Sequence, residues 1–141
     1  MFRLLTYYLS PLKHIPLAAW IADAMMMTWY SLFNHRLAEY IDNLVLAVSQ
    51  WEGMTISIHR FGGRQFNYHD KELGHIHSNG VLDILVSRNT KEELLAKGLA
   101  EEHHTLKASG WISFYLERPE DYEKAISVLR IARNSKQKRT A

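Results

Sequence analysis

Residues 54–86 read MTISIHRFGGRQFNYHDKELGHIHSNGVLDILV, and the spacing of turns in this stretch determines the predicted fold. Ile56 and Ile58 alternate with polar residues, which is the pattern of a strand that is buried on one side. The Gly62-Gly63 pair then allows a tight hairpin turn, because both glycines tolerate a positive φ. We therefore predict one strand on each side of this glycine pair.

Two more turns follow along the same stretch. Asp70-Lys71 and Asn79-Gly80 are pairs of residue types that tight turns prefer. The turns divide the stretch into four predicted strands, at 54–61, 64–69, 73–77 and 81–86. Because strands joined by tight turns pair antiparallel, this part of the chain predicts a meander sheet.

The chain before and after this stretch favours helices. Residues 15–33 are almost uniformly apolar, and residues 34–50 place apolar side chains three and four apart. Thr90 and Glu93 have the spacing of a capping box, which predicts a short helix at 91–97.

Two further strands, at 103–106 and 111–117, precede a last helix that begins at Pro119 and ends near residue 133. The predicted class is α+β: a mainly antiparallel meander sheet with helices packed on one face, preceded by two N-terminal helices. The length of 141 residues fits a single domain. We divide it into a helical part at 1–52, a core at 54–133 and a basic tail at 134–141.

Composition excludes several kinds of site. The chain has no cysteine, so it has no disulfide, zinc–thiolate site, iron–sulfur cluster or thiol nucleophile. The absence of cysteine suits a reducing compartment, and we expect a cytoplasmic protein. The net charge of +2 is too small to predict a nucleic-acid partner. Five cations near the C-terminus, Arg130, Arg133, Lys136, Lys138 and Arg139, are expected to form a solvated, frayed tail.

The apolar segment at 15–33 is open to three interpretations: a buried helix, a helix at a membrane surface, or a membrane span. A span needs about 20 mostly apolar residues, and this segment carries Asp23 near its centre. We favour burial against the sheet or against a second copy, which makes a homodimer a candidate assembly. The side chains that we expect to be buried are Trp20, Ile21, Met25, Trp29 and Leu32.

A group of histidines lies around the sequence GHIHSNG, residues 74–80. His75 and His77 would lie on one face of a strand, with Cα atoms roughly 6.6 Å apart, so that both rings could bind one metal ion. Further ligands would come from Glu72, Asp83, His59, His103 or His104. The same residues could instead bind a small ligand or transfer protons, or only form ordinary hydrogen bonds.

The facing of these side chains depends on the register of the hairpins. If both turns contain two residues, His59 pairs with Phe66, Phe66 pairs with His75, and Arg64 lies beside His77. All of these side chains would then share one face of the sheet.

The stretches FGGRQFNYHDKELGHIHSNGVLDI and GLAEEHHTLKASGWISFYL resemble a family of small bacterial and fungal proteins called the luciferase domain. The resemblance covers about residues 54–132. Its motif positions fall on Phe61, Gly62, Gly63, Phe66, Glu72, Gly74, His75, His77, Gly80, Asp83, His103, His104, Ser109, Gly110, Trp111, Ser113 and Phe114. The resemblance implies a fold without an established activity. It does not imply the flavin-dependent luciferase barrel, which needs about 250 residues.

The resemblance implies that one site contains Glu72, His75, His77, Asp83, His103 and Trp111. We expect a pocket lined by histidines and acids that binds a small ligand or a divalent metal and that could be catalytic. The candidate metal ligands are His75, His77 and His103. The alternative is a non-enzymatic interaction module that binds protein, nucleic acid or a membrane surface through the apolar N-terminal helix or the basic tail.

Overall fold

The computed structural model describes residues 16–33 and 35–140, and within them the chain forms four helices and six strands. The helices are α1 (Pro16–Phe33), α2 (His35–Ser49), α3 (Arg88–Ala96) and α4 (Pro119–Thr140). The strands are β1 (Met54–Ile58), β2 (Arg64–Tyr68), β3 (Lys71–Ile76), β4 (Val81–Leu85), β5 (Glu101–Glu102) and β6 (Trp111–Tyr115). This composition confirms the predicted α+β class.

The strands form a single sheet in the order β1-β2-β3-β4-β6-β5, and every neighbouring pair is antiparallel. The first four strands follow one another as a meander, as the turn signals predict. After β4 the chain passes through α3, forms β5 at the edge of the sheet, and returns as β6 between β4 and β5. The antiparallel meander is therefore confirmed.

The predicted register of the first hairpin is wrong. Phe66 pairs with Ile56 and Gly74, whereas His75 pairs with Gln65. The cause is the length of the connection, since β1 ends at residue 58 and the loop covers residues 59–63. Hydrogen bonds within the loop close it, from His59 N to Gly63 O at 3.2 Å and from Gly62 N to His59 O at 3.0 Å. His59 consequently lies in a loop and not in a strand.

The core lies between one face of the sheet and the helices α2 and α4. Phe66, Ile84 and Ile112 come from the sheet, and all three are fully buried. They belong to the same apolar cluster as Leu44 of α2 and Leu129 of α4. Burial of each such side chain stabilises the fold by about 1.5–3 kcal/mol, so this face supplies much of the stability.

Helix α1 packs mainly against α2. Its large apolar side chains remain accessible, with Met25 69% exposed and Trp29 58% exposed. The predicted burial of Trp20, Ile21, Met25, Trp29 and Leu32 against the sheet is therefore wrong. Their burial against a second copy stays a prediction. No helix among the described residues is long and apolar enough to span a bilayer.

The boundaries of α3 and β5 differ from the predicted ones. Ser87 is the N-cap of α3, and its hydroxyl oxygen accepts a hydrogen bond from Thr90 N at 3.1 Å. Thr90 thus lies inside the helix and is not its cap. The strand predicted at 103–106 is wrong, because no residue of that range lies in a strand: β5 covers only Glu101–Glu102, and His103 follows it.

Helix α4 continues beyond the predicted end, and the expected frayed tail is helical to Thr140. Contacts with the rest of the domain hold the last turns. Arg133 donates a hydrogen bond to Glu52 O at 2.7 Å, and the Lys136 ammonium donates one to Glu72 O. The second contact joins the C-terminal helix to the strand that carries the histidines.

Candidate functional site

A row of polar side chains crosses the middle of the sheet. Gln65 pairs with His75, His75 pairs with Asp83, and Asp83 pairs with Ser113. Directly paired residues lie on the same face, so this row occupies the face opposite the apolar core. The alternation of side chains along β3, β4 and β6 therefore separates the polar row from the buried apolar residues.

A β-bulge adds Glu72 to the same face. In the pairing of β2 with β3, Phe66 lies opposite Gly74 and Asn67 lies opposite Glu72, so Leu73 is an extra residue on β3. Without the bulge, residues three apart in a strand would face opposite sides. With it, the Glu72 carboxylate and the His75 ring meet, and Leu73 is buried in the core.

The ring of His75 lies between two carboxylates. Its Nδ1 is 2.7 Å from Glu72 Oε1, and its Nε2 is 3.5 Å from Asp83 Oδ2. An ionised carboxylate can only accept, so Nδ1 donates and carries a proton. Burial alone would lower the pKa of His75, but its hydrogen bonds to Asp83 and Glu72 outweigh that effect and raise it. The hydrogen bond from His75 in turn lowers the pKa of Glu72.

Asp83 is almost completely buried, with 1% of its surface exposed. The Ser113 hydroxyl donates to its Oδ1 at 2.5 Å, and its Oδ2 faces His75 and, at 3.6 Å, His103 Nε2. Burial favours the neutral acid, but the contacts with His75, Ser113 and His103 outweigh it and lower the pKa of Asp83. A buried ionised acid is thus held by three polar neighbours.

The hydrogen bonds of His103 fix which of its nitrogens carries the proton. Its Nδ1 accepts hydrogen bonds from the backbone N–H groups of Thr105, at 3.2 Å, and Leu106, at 3.1 Å. The proton of the neutral ring must then be on Nε2, the nitrogen that faces Asp83. Burial is the main cause that lowers the pKa of His103, so the ring is neutral near pH 7.

Lys91 supports the loop that carries His103, a role that its local sequence does not indicate. Its ammonium is buried and donates to the carbonyls of Lys107, at 2.6 Å, and Ser109, at 3.0 Å. A lysine in the first turn of a polar helix is normally solvated, so only the fold reveals the contact.

Two more imidazoles contact His75. The ring of His59 stacks on it, with centroids 3.8 Å apart and planes 7° apart, and the ring of His77 is nearly perpendicular to it at 5.1 Å. Burial, followed by the charge of His75, lowers the pKa of both His59 and His77 to about 4. Both are therefore neutral near pH 7.

The Nδ1 atom of His59 lacks a hydrogen-bond partner among the described residues. The atom is also buried. The Gly62 backbone favours the protonated ring electrostatically but does not meet the geometry of a hydrogen bond. An unpaired buried nitrogen costs about 1–3 kcal/mol, so it is a position where a water or ligand atom would stabilise the protein.

Trp111 forms one wall of the cluster. Its indole is half-buried, and its ring centroid lies 5.5 Å from that of His75 and 6.1 Å from that of His103. The structure thus brings together the residues that the sequence singled out, Glu72, His75, His77, Asp83, His103 and Trp111. It adds Lys91, and it also includes His59 and Ser113, which the sequence offered as a possible ligand and as a motif position.

Two groups of side chains have the spacing of metal ligands. The ligand atoms of His59, His75 and His77 lie within 4.8 Å of one another, as do those of Asp83, His103 and His104. A metal lies close to the plane of each imidazole that binds it, at about 2.0–2.1 Å. The parallel rings of His59 and His75 cannot both bind one ion in this way without a ring rotation.

Two features also disfavour metal binding by the second group, Asp83, His103 and His104. The rings of His103 and His104 are stacked, with planes 18° apart. In addition, His103 Nδ1 accepts two backbone hydrogen bonds, which leaves the proton on the nitrogen that faces Asp83. The geometry therefore disfavours a metal in this second group. The same tautomer of His103 also disfavours a metal bound jointly by His75, His77 and His103.

Residues 70–132 match the family model described as the luciferase domain, which confirms the predicted resemblance. No curated protein and no solved structure matches the chain. The matched segment contains Glu72, His75, Asp83 and His103, whereas His59 precedes it.

Proposed function

We propose that the cluster around His75 binds a small polar ligand and exchanges a proton with it. The observation that carries this proposal is the position of the His75 ring, with Nδ1 2.7 Å from Glu72 Oε1 and Nε2 3.5 Å from Asp83 Oδ2. Two carboxylates on one imidazole fix its orientation and stabilise its protonated form, which is the arrangement that general acid–base catalysis needs.

The pKa values of the neighbouring imidazoles, His59 and His77, are shifted in the opposite direction to that of His75. The pKa of His75 is raised, whereas burial and the charge of His75 lower the pKa of His77 to about 4. Adjacent groups whose environments shift their pKa values apart are typical of acid and base pairs in enzymes. In this proposal the Nδ1 proton of His75 passes to the ligand through the partly exposed Glu72 carboxylate, and His77 accepts a proton from the ligand or from a water.

The ligand reaches the cluster on the side where the side chains are partly exposed. Glu72 has 30% of its side chain exposed, His77 and Trp111 are half-buried, and His104 is exposed. The indole supplies a flat apolar surface, and the histidines supply donors and acceptors. This lining fits a small polar molecule with a planar or apolar part.

The test is a screen of small carboxylic acids, alcohols and amines by ligand-observed NMR on the wild-type protein. We expect at least one class to bind, and its binding should be lost in His75→Gln but kept in His35→Gln. His35 is an exposed histidine at the start of α2 and is the matched control.

The same samples are analysed for metals and titrated by histidine NMR. If the wild-type protein contains stoichiometric metal and His75→Gln does not, the function of the cluster is metal binding and not proton exchange. No bound compound, together with an ordinary titration of His75, would refute the proposal and leave the cluster as a structural feature.

A second candidate function is a protein contact through α1, in which the site plays no part. The observation that favours it is the number of large apolar side chains that α1 exposes: Leu17, Trp20, Ile21, Met25, Met27, Trp29, Leu32 and Phe33. Contiguous apolar surface of this kind is typical of interaction sites. We propose a second copy of the chain as the partner.

A further inference from the structure

We propose that Asp23 is a positioning residue for the histidine cluster, through which α1 holds in place the two turns that carry His59 and His77. The inference rests on the proposed function, because a positioning role has meaning only for a working site. It concerns a residue that lies well outside the family match at 70–132.

The Asp23 carboxylate binds both turns at once. Its Oδ2 accepts a hydrogen bond from Gly63 N at 2.7 Å, in the loop that begins with His59. Its Oδ1 accepts one from the Ser78 hydroxyl at 2.8 Å and a longer one from Ser78 N at 3.3 Å, in the turn after His77. A single side chain thus joins segments 40 and 55 residues away in the sequence.

The close approach of Asp23 depends on the missing side chain of Gly62. A Cβ atom at Gly62 would lie 2.5 Å from the Asp23 Cβ, which is closer than side chains pack. Gly62 also has a φ of 87°, which a residue with a side chain rarely adopts. The glycine therefore serves two needs, the shape of the loop and the room for α1.

A second contact ties α1 to the same loop. Trp20 Nε1 donates a hydrogen bond to Arg60 O at 3.0 Å, one turn of helix before Asp23. Trp20 and Asp23 together hold residues 60–63, and Asp23 alone reaches the turn at Ser78. This arrangement explains why α1, an otherwise apolar helix, carries one acid at its centre.

The position of these turns determines which faces the two histidines present to His75. His59 stacks on His75 and His77 packs against it edge-on. Release of the turns would let both rings leave His75. His103 belongs to a separate loop, which Lys91 holds, and it would stay in place.

The test measures how fast each histidine reacts with diethyl pyrocarbonate in Asp23→Asn, Asp23→Ala and the control Glu39→Ala, a loss of an exposed acid on α2. We expect His59 and His77 to react about tenfold faster in Asp23→Ala, because charge-assisted hydrogen bonds that close the turns are lost. His103 should keep its wild-type rate. Asp23→Asn keeps the size of the side chain and should have a smaller effect.

A merely structural role would raise the rates of His59, His77 and His103 together, in proportion to the loss of global stability, and would overturn the inference. Unchanged rates at His59 and His77 in a folded Asp23→Ala protein would overturn it as well. Failure of the proposed function would be seen in a different measurement: the wild-type protein would bind no ligand, and its His75 would titrate ordinarily.

Discussion

At the scale of single residues, the site is unusual because chemically identical imidazoles have different protonation states. His75 contacts two carboxylates at hydrogen-bond or near hydrogen-bond distance, whereas His59 and His77 contact mainly the ring of His75, with His59 Nε2 3.8 Å from Glu72 Oε1. A positive charge on His75 lowers the pKa of both neighbours. Only one of the three rings therefore carries a positive charge at a time, and that ring is His75. The consequence can be measured as a dependence of stability on pH.

The free energy of unfolding should fall as the pH is lowered from about 6.5 to about 4. The pKa values of His59 and His77 are about 4 in the folded protein, and near 6.5 in an unfolded chain. The unfolded chain therefore binds more protons in this range, and each histidine lowers stability by up to about 1.4 kcal/mol per pH unit.

His103, whose pKa is also lowered, acts in the same direction, whereas His75 and the two acids act in different ranges of pH. Since the pKa of His75 is raised, its contribution is fully present below about 6.5 and is lost as the pH rises through its folded pKa. The lowered pKa values of Glu72 and Asp83 give contributions that are lost only at lower pH, as the pH falls through those values. Urea unfolding of wild type and His59→Gln across this range checks the prediction, and equal slopes for the two proteins would contradict it.

At the scale of helices and strands, the sheet depends on close approach between backbones. Gly74 lies on β3 opposite Ile84 of β4, and a Cβ atom there would lie 2.4 Å from Asp83 O. The strands would have to separate at the point where His75 and Asp83 face each other. Gly74 is thus needed for the spacing of the strands that carry the site.

We expect Gly74→Ala to lower the free energy of unfolding by about 1–3 kcal/mol, the usual cost of overpacking a buried position. Gly98→Ala is the control, because a Cβ atom at Gly98 meets nothing within 4 Å. Its φ of 64° still disfavours alanine, so the control should lose about 1 kcal/mol. Urea unfolding measures both, and a Gly74→Ala protein as stable as wild type would show that the strands separate freely.

The last turns of α4 should contribute little to the stability of the fold. Removing residues 134–141 should leave the protein folded and cost about 1 kcal/mol, mainly through loss of the hydrogen bond from Lys136 to Glu72 O. Lys136→Ala should account for most of this loss, whereas Lys124→Ala, which removes an exposed ion pair with Asp121, should cost less. Thermal unfolding is the measurement, and an unfolded truncation would show that α4 contributes much more.

The sequence was sufficient for most of the helices and strands and insufficient for the register of the sheet. Turn residues such as Asn79-Gly80 mark the ends of strands by local preference, so the meander could be predicted. The loop at 59–63 could not, because Gly62-Gly63 fits both a short hairpin and a longer loop. The bulge at Leu73 is likewise settled only by pairing across the sheet.

Across the whole chain, the family match covers the segment from β3 to β6 and most of α4, whereas α1, α2, β1 and β2 lie outside it. The residues of the site came together as the sequence suggested, since HxH and the flanking acids are close in the chain. The roles of Asp23 and Lys91 could not be predicted, because their partners are far away in the sequence. Their contacts join distant segments, and nothing in their local sequence reveals them.

We expect the full-length protein to self-associate through α1. Met25 and Leu32 are strongly exposed, and their burial in a dimer would gain about 1.5–3 kcal/mol for each fully buried side chain. Sedimentation of wild type should show a dimer, and the double variant Met25→Glu/Leu32→Glu should be monomeric. Glu39→Gln on α2 is the control and should not change the mass. A monomeric wild-type protein, or one recovered in membranes, would contradict the prediction.

The short strand β5 has a consequence for how copies of the sheet can meet. It forms one edge of the sheet, it contains only Glu101–Glu102, and both side chains are exposed. A second molecule that paired with this edge would bring two pairs of like charges together, and there are too few backbone hydrogen bonds to offset the repulsion. This edge is thus protected against the strand addition that begins amyloid-like aggregation. A substitution that removes a charge here, such as Glu101→Val, should therefore promote aggregation even if it leaves the fold and the histidine cluster intact.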